Sequence, residues 1–136
     1  MAAHSRPRAV LTDDHPVVLE AIRSILESDF EIVAVANSGM QALEAVIAFQ
    51  PELLVLDIAM PGWNGFEVAE RVLERSTATK VLFVSIYEDI DYLDKARALG
   101  ASYVFKRCMR TDLLKAALAT LRGSVFCSSL RLLQPK

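Results

Sequence analysis

Residues 53–65 read Leu53-Leu54-Val55-Leu56-Asp57-Ile58-Ala59-Met60-Pro61-Gly62-Trp63-Asn64-Gly65. Four apolar residues run without a polar break, stop at an aspartate, and give way to a Pro-Gly turn. A short run that is apolar at every position reads as a strand covered on both faces. The pattern recurs. Ala9-Val10-Leu11-Thr12 runs into Asp13-Asp14, Val81-Leu82-Phe83-Val84 into Ser85, and Tyr103-Val104-Phe105 into Lys106. Ile32-Val33-Ala34-Val35 supplies a fifth run.

Helical periodicity fills the gaps between runs. Val18, Ile22, Ile25 and Leu26 form a stripe after the first strand, Met40, Leu43 and Ile47 after the second, and Phe66, Ala69 and Leu73 after the third. Ile90, Leu93 and Arg97 form a weak stripe after the fourth, and Leu114, Ala117, Leu118 and Leu121 a clear one after the fifth. Pro16 suits a first helical turn, Ser38-Gly39-Met40-Gln41 reads as a capping box, and Gly100 stands where a helix stops. The order is strand then helix, five times. Right-handed crossovers then give an α/β fold, a doubly wound five-stranded parallel sheet with five helices, flavodoxin-like in the order 2-1-3-4-5. In that order the first and third strands are neighbours. Asp13, Asp14 and Asp57 fall at the switch point between them, where ligands bind.

The whole chain narrows the function. Its 136 residues make one domain, with a hydrophobic fraction of 53% balanced by 24% charged residues, as in a soluble globular protein. A net charge of −2 supplies no basic field for nucleic acid or an anionic membrane. No apolar run approaches the ~20 residues of a spanning helix. Met1 to Arg8 lacks the apolar stretch of a signal peptide. Cys108 and Cys127 fit no metal-ligand spacing and read as a reduced pair, so a cytoplasmic location is expected. The periodic pattern ends at Leu121. Residues 1–122 are the expected domain, and 123–136, with three serines and a closing Pro-Lys, read as a linker or tail.

Four strand ends thus converge with three carboxylates, a hydroxyl and an ammonium. Carboxylate oxygens with room for water suit Mg²⁺. Crowded together they repel, and at least one pKa should rise. An Asp-Asp pair after a strand often only caps the next helix. A lone Ser85 reads as a strand-end hydrogen bonder and a lone Lys106 as a solvated charge. Their meeting with Asp57 at equivalent strand ends outweighs those readings. A carboxylate can also attack a phosphoryl group and form an acyl phosphate. Such a transfer asks mainly for charge neutralisation on the equatorial oxygens.

These residues carry a family resemblance. The acidic pair Asp13-Asp14, the stretch Asp57 to Gly65, Ser85, and Gly100 to Lys106 resemble the receiver domain of bacterial two-component response regulators, over about residues 8 to 122. The resemblance implies that Asp57 accepts a phosphoryl group from a sensor histidine kinase. It implies that Asp14, Asp57 and the main-chain carbonyl of Ala59 bind Mg²⁺ directly, with Asp13 acting through water. Lys106 and Ser85 contact the phosphoryl group, and Ser85 and Tyr103 form the switch. In that picture Ser85 is drawn toward the phosphate and opens space for Tyr103. Such a domain is not an enzyme in the usual sense, although it self-catalyses phosphoryl transfer and hydrolysis.

Asp-Asp-His-Pro at residues 13–16, followed by Val-Val, and the tail from Gly123 resemble the NarL/LuxR-like group, whose receivers precede a DNA-binding domain. No such domain follows within residues 123–136. The chain is then either the regulatory part of a transcriptional regulator or a stand-alone receiver in a phosphorelay. A homodimer formed on phosphorylation is a candidate assembly; contact with nucleic acid or membrane by this domain itself is not expected. An unphosphorylated interaction module ranks lower, because every acidic residue and the lysine are present. A haloacid-dehalogenase-like phosphatase needs a second aspartate where Ala59 stands. Ile86, bulky where a small residue is usual, narrows the approach to the phosphoryl group.

Overall fold

In the computed structural model, which describes residues 6–76 and 78–128, the five apolar runs are five parallel strands. These are β1 (Arg8–Thr12), β2 (Glu31–Ala36), β3 (Leu53–Leu56), β4 (Lys80–Ser85) and β5 (Ser102–Phe105). The helices are α1 (Pro16–Leu26), α2 (Gly39–Phe49), α3 (Gly65–Arg75), α4 (Ile90–Ala98) and α5 (Met109–Leu121). The sheet order is β2-β1-β3-β4-β5, the order expected from the sequence. Thr12 pairs with Leu56, Leu56 with Phe83 and Ser85 with Phe105, so the polar residues that follow emerge along one edge.

The strands split the core by residue parity, because successive side chains point to opposite faces. Val10, Leu54, Leu56, Val81, Phe83, Tyr103 and Phe105 pack with buried residues of α2, α3 and α4. Leu11, Leu53, Val55, Leu82, Val84 and Val104 pack with those of α1 and α5. β2 departs from the continuous burial its sequence suggests: Glu31 and Val35 are exposed and the middle residues half-buried. It is an edge strand with β1 as its neighbour in the sheet.

α1 buries its expected stripe and α3 all of its own but Leu73, whereas α2, α4 and α5 keep the expected period at a different phase. In α2 the buried residues are Ala42, Leu43 and Val46, while Met40 and Ile47 face solvent. In α4 they are Leu93 and Ala96, with Ile90 outside, and in α5 Leu113, Ala116, Ala117 and Thr120. Pro16 occupies the first turn of α1. The box at Ser38 is half formed: Ser38 Oγ accepts from Gln41 N–H at 3.3 Å, but the Gln41 side chain takes the N–H of Asn37 instead. A complete capping box stands at Asn64 and Glu67, directly after the Asp57 loop. A Cβ at Gly65 would lie 2.4 Å from the Asp57 carbonyl oxygen, so only glycine lets α3 begin this close to the site. No helix among the described residues is long and apolar enough to cross a membrane.

Beyond α5, Gly123 has φ 87° and turns the chain back. Cys127 then forms a parallel bridge with Tyr103 at the outer edge of β5. Residues 129–136 of the expected tail lie outside the described residues.

Candidate phosphoacceptor site

Backbone hydrogen bonds carry the β1–β2 and β1–β3 ladders one residue past the strands. Asp13 N–H donates to Ala36 and Asp57 N–H to Thr12, each at 3.1 Å. Both carboxylates are thereby held at the mouth of the sheet, buried, with Asp13 0% and Asp57 3% exposed. Lys106 reaches them from the end of β5. Its Nζ is 2.9 Å from Asp13 Oδ2 and 3.5 Å from Asp57 Oδ2. The ammonium is turned inward, not solvated as a lone surface lysine would be. Asp57 Oδ1 accepts the Ile58 N–H at 2.8 Å, which leaves Oδ2 as the oxygen facing Lys106.

Burial is the main reason the Asp57 carboxyl titrates above its ordinary value, and the Asp13 charge pushes the same way. The Lys106 ammonium and the Ile58 N–H oppose them. The direction is the one that crowding in the cleft leads one to expect, although burial outweighs the neighbouring charge as its cause.

Asp14 and His15 complete the cluster. His15 Nδ1 lies 3.1 Å from Asp13 Oδ1 and 3.0 Å from Asp14 Oδ1, and the His15 N–H donates to Asp13 Oδ1. One ligand atom from each of Asp13, Asp14, His15 and Asp57 falls within 4.8 Å of the others. Asp13 Oδ2 and Asp14 Oδ1 are buried yet accept no hydrogen bond; their close cationic or imidazole neighbours lack the geometry for one. Unsatisfied carboxylate oxygens this crowded, all hard donors, fit a small divalent cation. The sequence places His15 in the loop to Pro16; its ring contact with both aspartates is visible only in three dimensions. Ala59 is exposed in the loop after Asp57, between buried Ile58 and half-buried Met60.

Ser85 ends β4 and is fully buried, and its Oγ accepts the Tyr87 N–H at 3.1 Å. Tyr103 donates its hydroxyl to the Tyr87 carbonyl at 2.7 Å. Ser85 and Tyr103 are therefore joined through one loop residue, Tyr87. Tyr103 is 1% exposed, with Phe83 and Phe105 as ring neighbours at 6.3 and 6.0 Å, and burial pushes its phenol up to about 12. The ring is already inside rather than waiting for space to open. Arg107 pairs with Glu88 through both nitrogens of its fork, tying the turn after Lys106 to the loop after Ser85. Ile86 in that loop is 65% exposed. Arg71 stacks over Trp63 at 4.1 Å beside the Asp57 loop.

A mouth of acidic residues at the β1/β3 switch point, met by a lysine from β5, defines a class, and the chain's relatives agree. The model of the response regulator receiver domain matches residues 9–119, and the chain belongs to that family. It is 33% identical over 120 residues to the transcriptional regulatory protein DegU of Brevibacillus brevis, covering 86% of this chain and 51% of that protein. It is 32% identical to the oxygen regulatory protein NreC of Staphylococcus carnosus, covering 88% of this chain and 57% of that one. The chain thus spans about half the length of the curated relatives it matches. Among solved structures, the receiver domain of the putative response regulator NarL from Mycobacterium tuberculosis superposes with a TM-score of 0.82 at 32% identity, over 88% of this chain and 98% of that one. A LuxR-family response regulator from Aurantimonas sp. SI85-9A1 gives 0.85 at 29% identity, over 94% and 93%. The receiver is of the NarL/LuxR type.

Proposed function

We propose that this receiver takes a phosphoryl group onto Asp57 from a sensor histidine kinase and turns that charge into a change at its β5 side. The observation that carries the reading is the pairing of one ammonium, Lys106, with two buried carboxylates, one of them with a raised pKa. Such an arrangement is costly for a fold and has a purpose at a site of phosphoryl transfer.

Asp57 Oδ2 is the attacking oxygen, since Oδ1 is held by the Ile58 N–H. A P–O bond forms at Oδ2 as the P–N bond of the donor phosphohistidine breaks. The imidazole nitrogen keeps the electron pair and takes a proton from solvent. Lys106 then stands beside the equatorial oxygens and offsets their charge. Ser85 turns its hydroxyl from the Tyr87 N–H to a phosphoryl oxygen. Asp14, Asp57 and the Ala59 carbonyl would hold Mg²⁺, with Asp13 behind a water. The ion supplies charge neutralisation for the transferring group. Hydrolysis of the acyl phosphate by water resets the domain. The chain's relatives are regulators of about twice its span, which supports a role as the regulatory part of a transcription factor; a cytoplasmic location and dimerisation on phosphorylation belong to the same proposal.

Acetyl phosphate with Mg²⁺ should add one phosphoryl group, read by intact mass, and Asp57→Ala should add none. A wild-type chain that stays unmodified both with that donor and with a phosphorylated histidine kinase would overturn the reading.

A further inference from the structure

Residues 124–128 do more than trail from α5. Tyr103 N–H donates to the Phe126 carbonyl and Ser128 N–H to the Tyr103 carbonyl, each at 2.9 Å. Phe126 N–H donates to Ser102 Oγ at 2.9 Å. Ser128 is 3% exposed, and its hydroxyl works in both directions. It accepts the Phe105 N–H at 3.1 Å and donates to Asp112 Oδ2, on α5, at 2.8 Å. The N–H groups of Tyr103 and Phe105, which would otherwise be free donors on an edge strand, are thereby both used.

The strap grips Tyr103, one residue of the proposed switch, and Phe105, the neighbour of Lys106. Tyr103 hangs by its hydroxyl from Tyr87, whose N–H is on Ser85. Phe105 directly precedes Lys106, which holds Asp13 and Asp57. Beyond these bonds, Ser124 N–H donates to the Ala119 carbonyl at 3.0 Å, and Phe126 and Cys127 rest against opposite faces of the core. Ser124 and Val125 are exposed, and Phe126 and Cys127 half-buried.

We propose that residues 124–128 are a latch on β5, closed while Asp57 is bare and released when Asp57 is phosphorylated. The proposal rests on the reading of Asp57 as phosphoacceptor. A phosphoryl group draws Lys106 away from Asp13 and Ser85 away from Tyr87. Both movements pull on the two residues whose outward N–H groups carry the strap. A segment at the edge of a sheet, held by hydrogen bonds and two half-buried side chains, opens before the core does. Release bares the β5 edge and the Asp112 carboxylate, and frees the segment that continues from α5. Linkage makes the coupling reciprocal: a strap that prefers bare Asp57 opposes phosphorylation, so weakening it favours the phosphorylated form.

Hydrogen exchange read by mass on the 136-residue chain with Mg²⁺, with and without acetyl phosphate, tests this while intact mass counts phosphoryl groups. In the phosphorylated protein, amides of 102–105 and 126–128 should exchange at least several-fold faster, with β1 and β3 unchanged. Ser128→Ala should loosen the same amides without phosphate and raise the fraction phosphorylated at a fixed acetyl phosphate concentration. Full phosphorylation with unchanged or slower exchange at 126–128 overturns the latch. Ser128→Ala without effect on that fraction overturns the coupling. Absence of any phosphoryl mass overturns the Asp57 reading itself, and the latch with it.

Discussion

Replacing Lys106 with Met keeps the length of the side chain and removes the ammonium that lies 2.9 Å from Asp13 and 3.5 Å from Asp57. At an effective dielectric near 20, each pair has a raw attraction of about 5 kcal/mol, part of which offsets the desolvation of the three groups. Breaking one side of a buried ion pair costs about 3–5 kcal/mol. A second route bounds the loss. The variant can protonate one carboxylate, which titrates ordinarily at 3.8. Holding it neutral at pH 7 spans about 3 pH units at about 1.4 kcal/mol each, or about 4 kcal/mol. The two routes agree. Lys106→Met should lose about 3–4 kcal/mol at pH 7 in metal-free buffer, and about half of that near pH 5, where protonation is cheaper. Urea unfolding of wild type and variant at both pH values, at constant m, measures it. A loss below about 1 kcal/mol at pH 7, or one that does not shrink at pH 5, would show that Lys106 is a solvated charge and that the triad reasoning is wrong.

Asp57→Asn should act in the opposite sense. The folded protein holds the Asp57 proton more tightly than the unfolded chain, whose carboxyl titrates near 3.8. Stability therefore falls as pH rises from there through the higher folded value, and above it the ionised Asp57 remains a liability. The variant should melt higher than wild type at pH 7, with the gap closing as the pH drops through the raised folded value toward 3.8; an equal or lower melting temperature at pH 7 counts against it. Gly65→Ala places a Cβ 2.4 Å from the Asp57 carbonyl oxygen and 2.8 Å from Ile58 Cα, both backbone atoms. It should cost about 1–3 kcal/mol in urea unfolding, as other overpacked sites do. Mg²⁺ should change the fluorescence of Trp63, the only tryptophan, and Asp14→Ala should shift the titration to higher Mg²⁺; a flat millimolar titration of wild type would speak against the metal site.

What could be read from sequence follows physical lines. Strand count, order and the polar strand ends were legible, because a strand's period is two and its burial here is nearly complete at β1, β3 and β4. Helix period was legible throughout, but phase only for α1 and most of α3. Met40 and Ile47 match a stripe as well as Ala42 and Val46 do, and only packing against the sheet selects the smaller pair. The Asn64-x-x-Glu67 capping box carries a sequence signature of its own. The inward aim of Lys106 followed from its position after a buried strand, whereas the Tyr87 carbonyl that receives Tyr103 carries no side-chain signal. Arg107 and Glu88 lie 19 residues apart and find each other only because the loops after β4 and β5 are neighbours. The docking of Ser128 was equally hidden, since serine in a polar tail suggests solvent rather than a buried bridge between β5 and α5.

The central claim is that Asp57, and neither of its acidic neighbours, carries the phosphoryl group. Borohydride reduces an acyl phosphate to an alcohol and so converts a phosphorylated aspartate to homoserine. After incubation with acetyl phosphate and Mg²⁺, then borohydride, peptide mapping should find homoserine at position 57 and aspartate unchanged at 13 and 14. Homoserine at 13 or 14, or a phosphoryl mass that maps to a serine or histidine, would contradict the account.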